Sequence, residues 1–329
     1  MEPFTDPAEQ YALFAGDASD SPCFSAWAAA VAEDQEVLAW LTTLPAIKQQ
    51  PNLVFAAARW HGVPAPGPYD ALRAALLGDD GAIRATILQR STQTNEAGRM
   101  ATLLPAFASL GLREPISLLE VGASAGLCLY PDRWGYAWQT DTGPVLLGAE
   151  PRLTCAVRGG HPPLPERLPQ VAWRGGLDLN PGDVTDEDAM AWLENLVWPE
   201  QDERRERLRQ AIKIARAEPP HLVRGDLLTD LPALIEVAAA HGPVVVFHSA
   251  VIAYLEPADR ERFHDLMTGL VADGACHWVS NEGKRVLPRV TETGPPVPEE
   301  HSTFVTGVDG RAVAWTHGHG SSMRWVADG

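Results

Sequence analysis

Positive charge is scarce in this chain: 26 Lys and Arg stand against 43 Asp and Glu, a formal net charge of −17. Phosphate backbones and anionic lipid surfaces are held by clustered cations, so this balance argues against nucleic acid and membrane as partners. Cysteine is sparse too. Cys23, Cys128, Cys155 and Cys276 lie far apart, without the C-x-x-C pairing of a zinc site or the density of a disulfide scaffold, and free thiols are expected. No stretch approaches the roughly 18 apolar residues of a membrane span. The start Met1-Glu2-Pro3 lacks a basic segment leading into an apolar core, and no repeat stands out. These absences leave a cytoplasmic globular protein as the expectation.

What remains is ample for a core: 329 residues, 45% of them hydrophobic, enough for one large domain or two modest ones. Residues 1–112 read as an N-terminal helical region or lid. Apolar residues recur at helical spacing from Ala26 to Leu41 and around Leu53-Val54-Phe55-Ala56, and Pro64 to Pro68 interrupts them. From 113 to 329 strand and helix alternate. The apolar β-branched run Pro243-Val244-Val245-Val246-Phe247-His248 reads as a central parallel strand, and Asp309-Gly310 as the turn of a closing hairpin. Tyr130 to Pro169 has no clear periodicity and reads as an inserted lid or a small β excursion at about 130–170.

The chain is organised around Leu118-Leu119-Glu120-Val121-Gly122-Ala123-Ser124-Ala125-Gly126-Leu127. It reads as a strand, a tight turn and a helix start, with Gly122 and Gly126 allowing close backbone approach and the helix offering unpaired N–H groups to a ligand. Close packing of a helix on a strand explains the same text equally well. Acids close the next two strand-like passages: Asp178 in Gly176-Leu177-Asp178-Leu179-Asn180-Pro181, and Asp226 before Leu227. In a parallel sheet all three carboxylates would line the rim where such sheets bind ligands.

Together these passages resemble the successive motifs of class I S-adenosylmethionine (SAM)-dependent methyltransferases. The resemblance implies a Rossmann-like α/β fold, a mostly parallel sheet of seven strands ending in an antiparallel hairpin. It also implies SAM as cofactor, with Glu120 at the methionine end, Asp178 at the ribose, Asp226 and Leu227 at the adenine, and Gly122, Ser124 and Gly126 shaping the turn. Over nearly its whole length the chain further resembles an uncharacterised bacterial family common in actinobacteria. That likeness rests on Gln50-Pro51-Asn52-Leu53, Thr92-Gln93-Thr94-Asn95-Glu96, Trp192-Leu193-Glu194, Trp198-Pro199-Glu200 and His248-Ser249-Ala250-Val251, and it carries no activity. Two departures bear on the cofactor. Glu120 and Asp178 are 58 positions apart, so the insertion must loop out if both meet one ligand, and Cys128 stands where the family text places Asn.

Candidate catalytic groups are His248, which follows the central strand and suits proton acceptance, and Glu282, as base or amine ligand. Asn95, Glu96 and Arg99 would orient a polar substrate from the helical lip. Each has a plainer reading: a core histidine, a solvated loop carboxylate, and a helix start capped by Thr94 or Asn95. His317-Gly318-His319 lacks a third ligand at recognisable spacing, and no metal is assigned. Three functions stay open. One is a methyltransferase acting on a small metabolite. Another is a methyltransferase-like enzyme that uses no cofactor and runs ring closure or elimination. The last is a non-catalytic methyltransferase-like subunit that binds a partner through its acidic, Trp-rich surface. A homo-oligomer or a companion protein is left open as partner in each case.

Overall fold

The computed structural model describes residues 6–18, 20–93, 95–298 and 303–327. The chain divides into two compact units, one formed by Met1–Thr94 with Asp186–Arg209, the other by Asn95–Thr185 with Gln210–Gly329. The segment 95–112, grouped above with the N-terminal helices, therefore lies in the second unit.

The first unit is helical. Pro7–Asp17, Pro22–Glu33 and Pro51–Trp60 each start on a proline, which fits a first turn because its missing N–H has no helical partner anyway. Asp6, Ser21 and Asp34 cap helix starts by accepting N–H groups of the first turn. The apolar faces meet around Phe24, Trp27, Leu41, Leu53 and Phe55, and Trp192 joins that core. The Arg90 guanidinium lies 4.8 Å from the Trp60 ring and 5.0 Å from the Trp192 ring.

The second unit is α/β. Its strands are β1 (Ile116–Val121), β2 (Gly135–Thr140), β3 (Gly143–Leu147), β4 (Arg152–Val157), β5 (Val171–Asp178), β6 (His221–Arg224), β7 (Val244–Ser249), β8 (His277–Gly283), β9 (Phe304–Val308), β10 (Arg311–Thr316) and β11 (Ser322–Trp325). They form one sheet in the order β3-β2-β4-β11-β10-β9-β8-β7-β1-β5-β6. Six of the ten pairings are parallel, the other four antiparallel. The expected seven strands are thus corrected to eleven. The surplus comes from the segment 130–170, which supplies β2, β3 and β4, and from the short β11, which joins them to β10.

A second correction concerns the turn after β1. No helix starts at Gly126; turns carry the chain on. Pro131 lies only five residues beyond Gly126 and restricts Tyr130 as well, leaving too little chain for a stable helix. A polar network holds the segment instead. Arg174 on β5 donates to Leu129 O at 2.8 Å, to both Asp132 oxygens at 2.9 and 3.1 Å, and to Glu218 Oε1 at 3.1 Å.

Side-chain alternation separates the two faces of the sheet. Leu119, Val121, Val246 and Trp278 pack with Leu234, Ile235, Phe263 and Met267 from the helices Leu231–Ala239 and Pro257–Ala272. Phe247 points the other way, edge-on to Phe107 of the helix Met100–Ser109 at 5.6 Å.

Candidate functional site

The strand order reverses at β1: the chain runs from β1 to β5 and β6 on one side, then returns to β7 and β8 on the other. In open parallel sheets the crevice beyond the strand ends at such a reversal is the usual ligand position. Backbone strain marks the same place. Of three described non-glycine residues with positive φ, Ser124 (51°) follows β1 and Ala250 (60°) follows β7, while Asp309 (48°) sits in the β9–β10 turn. Left-handed conformations of such residues persist where their surroundings hold them, and they gather at functional sites.

The loop after β1 holds itself closed. Gly122 and Ala123 donate N–H to Leu177 O at 2.7 and 3.3 Å, and Gly126 donates to Ala123 O at 2.7 Å. Ser124 N–H reaches Asp178 Oδ2 at 2.8 Å, and Ala125 N–H reaches Asn95 Oδ1 at 3.2 Å. Every N–H from 122 to 126 is committed, so the turn is not the anion cradle its glycines suggested. Asn95 also donates Nδ2 to Ser124 Oγ at 2.8 Å; it positions this loop rather than capping a helix. The cap falls to Glu96, whose carboxylate accepts Gly98 N–H at 3.0 Å, and Thr94 lies outside the described residues.

Glu120, the next-to-last residue of β1, is 6% exposed, with Oε2 buried and without a hydrogen-bond partner. Burial pushes its carboxyl well above the ordinary range; the Asp178 charge adds to this, while the Arg99 guanidinium and a Cys128 thiol hydrogen bond oppose it. Burial, reinforced by Glu120, likewise raises the Cys128 thiol, which suits packing better than nucleophilic attack. Arg99, 4% exposed, donates Nε to Gly318 O at 2.7 Å and Nη1 to Ser249 O at 3.0 Å.

His248 and Glu282 belong to a different cluster. Register pairs Glu120 with Phe247 and His248 with Ser280, so Glu120, Phe247, Ser249 and Asn281 share one face while His248, Trp278 and Glu282 share the other. The Trp278 indole, donor only, gives its N–H to His248 Nε2 at 3.0 Å. That fixes the proton on Nδ1, which donates to Glu282 Oε1 at 2.7 Å. Glu282 Oε1 also accepts the N–H groups of Val251 and Ile252 at 3.0 and 3.1 Å, tying down the loop that contains Ala250. With both ring nitrogens occupied and the ring fully buried, His248 is a core histidine, not the general base suggested above. Glu282, 1% exposed, is likewise no solvated loop carboxylate.

Of the remaining acids, Asp178 closes β5 beside Glu120 and Asp226 follows the edge strand β6, each with part of its capacity spent. Asp178 accepts Ser124 N–H on one oxygen and Asn180 N–H on the other at 2.7 Å. Exposed Asp226 accepts Leu228 N–H at 2.7 Å, and Leu227 is half-buried. Sequence reasoning missed Ser249 and Asn281. Asn281 Nδ2 donates to Ser249 Oγ at 2.8 Å, while its Oδ1 accepts the Thr306 and Thr316 hydroxyls at 3.0 and 2.8 Å. The signal was a polar pair at the ends of two apolar strands, but nothing in the sequence showed that they face Glu120's side.

Among the described residues no group of three or more His, Cys, Asp or Glu is placed to hold a metal ion, and no helix is long and apolar enough to cross a membrane. The four cysteines are free and buried. No curated protein was found that matches the chain. A family model does match, over residues 8–325: the chain belongs to the bacterial family described as "Uncharacterized protein conserved in bacteria (DUF2332)".

Proposed function

We propose that the sheet-bearing unit is a SAM-dependent methyltransferase acting on a small polar metabolite or natural-product intermediate in the cytoplasm. The observation that carries this reading is Glu120 Oε2, a buried carboxyl oxygen with no partner near the end of β1. Such an atom is costly unless a donor meets it, and the ammonium of a methionine group supplies one. Asp178 and Asp226 keep lone pairs beyond the backbone N–H groups they accept, enough for ribose hydroxyls and an adenine edge. The committed N–H groups of the 122–126 turn are no obstacle, because SAM carries no phosphate. Bound there, SAM would supply an electrophilic sulfonium methyl; the protein's part is to align the acceptor and exclude water.

A second reading keeps the site and drops the cofactor: an enzyme of intramolecular displacement or elimination. The buried Cys128 thiol favours it, since it lies close enough to act on the Glu120 carboxyl group that SAM would need.

Calorimetric titration with SAM separates the two. Micromolar binding that is lost in Glu120→Gln supports the methyltransferase reading, whereas absence of any heat at millimolar SAM, with turnover indifferent to SAM, sinks it in favour of the second.

A further inference from the structure

We propose that Ser249 is a ligand-binding residue of this site, its hydroxyl donating to the carboxylate of an α-amino-acid group whose ammonium meets Glu120. The proposal rests on the reading above in placing the ligand at this rim.

A hydrogen-bond chain of fixed direction carries it. The Thr306 and Thr316 hydroxyls are fully buried and have no other acceptor among the described residues, so both must donate to Asn281 Oδ1. That orients the Asn281 amide and obliges Nδ2 to donate to Ser249 Oγ. Ser249 Oγ is thus an acceptor toward the protein, and its own proton goes to no protein acceptor among the described residues. Ser249 is half-buried at the last position of β7, next to left-handed Ala250, so the hydroxyl proton is left for a ligand on the face of the sheet that Glu120 shares.

Two complementary vacancies then share one face: an acceptor, Glu120 Oε2, and a donor, Ser249 O–H. Arg99 links them, with Nη1 at 3.0 Å from Ser249 O and its charge acting on Glu120. A cationic donor toward Glu120 and an anionic acceptor toward Ser249 and Arg99 describe an amino-acid zwitterion. Its source is either the methionine end of SAM or a free amino acid.

The test is calorimetry on the full chain with three probes: SAM, its decarboxylated analogue and L-methionine. Wild type is expected to bind SAM more tightly than the decarboxylated analogue. Ser249→Ala should weaken SAM between about tenfold and a hundredfold, the value of a hydrogen bond to a charged group, and leave the analogue within about twofold. Asn281→Asp should do the same with the serine intact, because a carboxylate in place of the amide captures the Ser249 proton. If that variant fails to fold, as judged by circular dichroism, Ser249→Ala decides alone. Equal weakening of SAM and its decarboxylated analogue, or no weakening of either, overturns the proposal. Binding of L-methionine without SAM overturns the cofactor reading and leaves the amino-acid subsite standing. Binding of neither by wild type overturns both.

Discussion

The Trp278 indole donates to Nε2 of His248 across 3.0 Å in the buried interior, and that contact decides what the histidine does. With Nε2 fixed as acceptor, ¹⁵N spectra at neutral pH should show Nδ1 as the protonated nitrogen. His248→Ala should destabilise the protein by about 3 kcal/mol or more, through the emptied volume and the stranded Trp278 N–H. Urea denaturation reads the loss, and a cost under about 1 kcal/mol would argue against this hydrogen-bonded core.

Glu120 should make stability fall as pH rises. Burial raises its folded value above the ordinary 4.5, so between 4.5 and the folded value the unfolded chain ionises while the folded group keeps its proton. That proton imbalance favours unfolding progressively over the window and is absent below 4.5. Glu120→Gln should therefore gain melting temperature over wild type at pH 7 and show little gain at pH 4. An equal gain at both values would contradict the assigned cause.

Gly122 and Gly274 have nearly the same backbone, φ +67° and +68°, yet a β-carbon on Gly122 would lie 2.4 Å from Val251 Cγ2 while one on Gly274 meets nothing within 4 Å. Gly274→Ala should cost about 1–2 kcal/mol, the left-handed penalty alone. Gly122→Ala should cost about 1–3 kcal/mol more, and Val251→Ala in the same chain should return part of the excess. Chemical denaturation of the three variants checks the order.

Arg174 is 7% exposed and faces two carboxylates and a carbonyl. Arg174→Met should cost about 3 kcal/mol, chiefly because buried Asp132 keeps only the half-exposed Arg133 as a cationic partner, while half-exposed Glu218 retains Arg133 and water. Loss of protection from hydrogen exchange concentrated between residues 127 and 133 would mark the affected segment.

Much of the α/β unit was legible because its strands are apolar and its turns carry their own chemistry. Val244 to Phe247 is buried throughout, as expected of a strand covered on both faces, and Asp309-Gly310 takes up the positive φ values that a tight hairpin needs. The edge strands were not legible. β3 holds Gly143 and Pro144 and is largely exposed, so no apolar alternation announces it, and β11 has four residues. The candidate site was half legible. Its acids fell at strand ends as read, but which side chains meet depends on the register between β1 and β7. A chain pattern with period two gives each strand's parity and not its phase relative to a neighbour. For that reason His248 looked like a companion of Glu120 and proved to face away from it.

β11 has a consequence in time as well as in space. Its pairing of Ser322 with Ala156 is what joins β2, β3 and β4 to the remainder of the sheet. A chain emerging from the ribosome cannot close that join until residue 322 is free, long after β4 has appeared. Until then β4 presents an unpaired edge, and so does β10 on the opposite side of the gap. Nascent β2 to β4 is accordingly the stretch of this protein with most reason to need a chaperone.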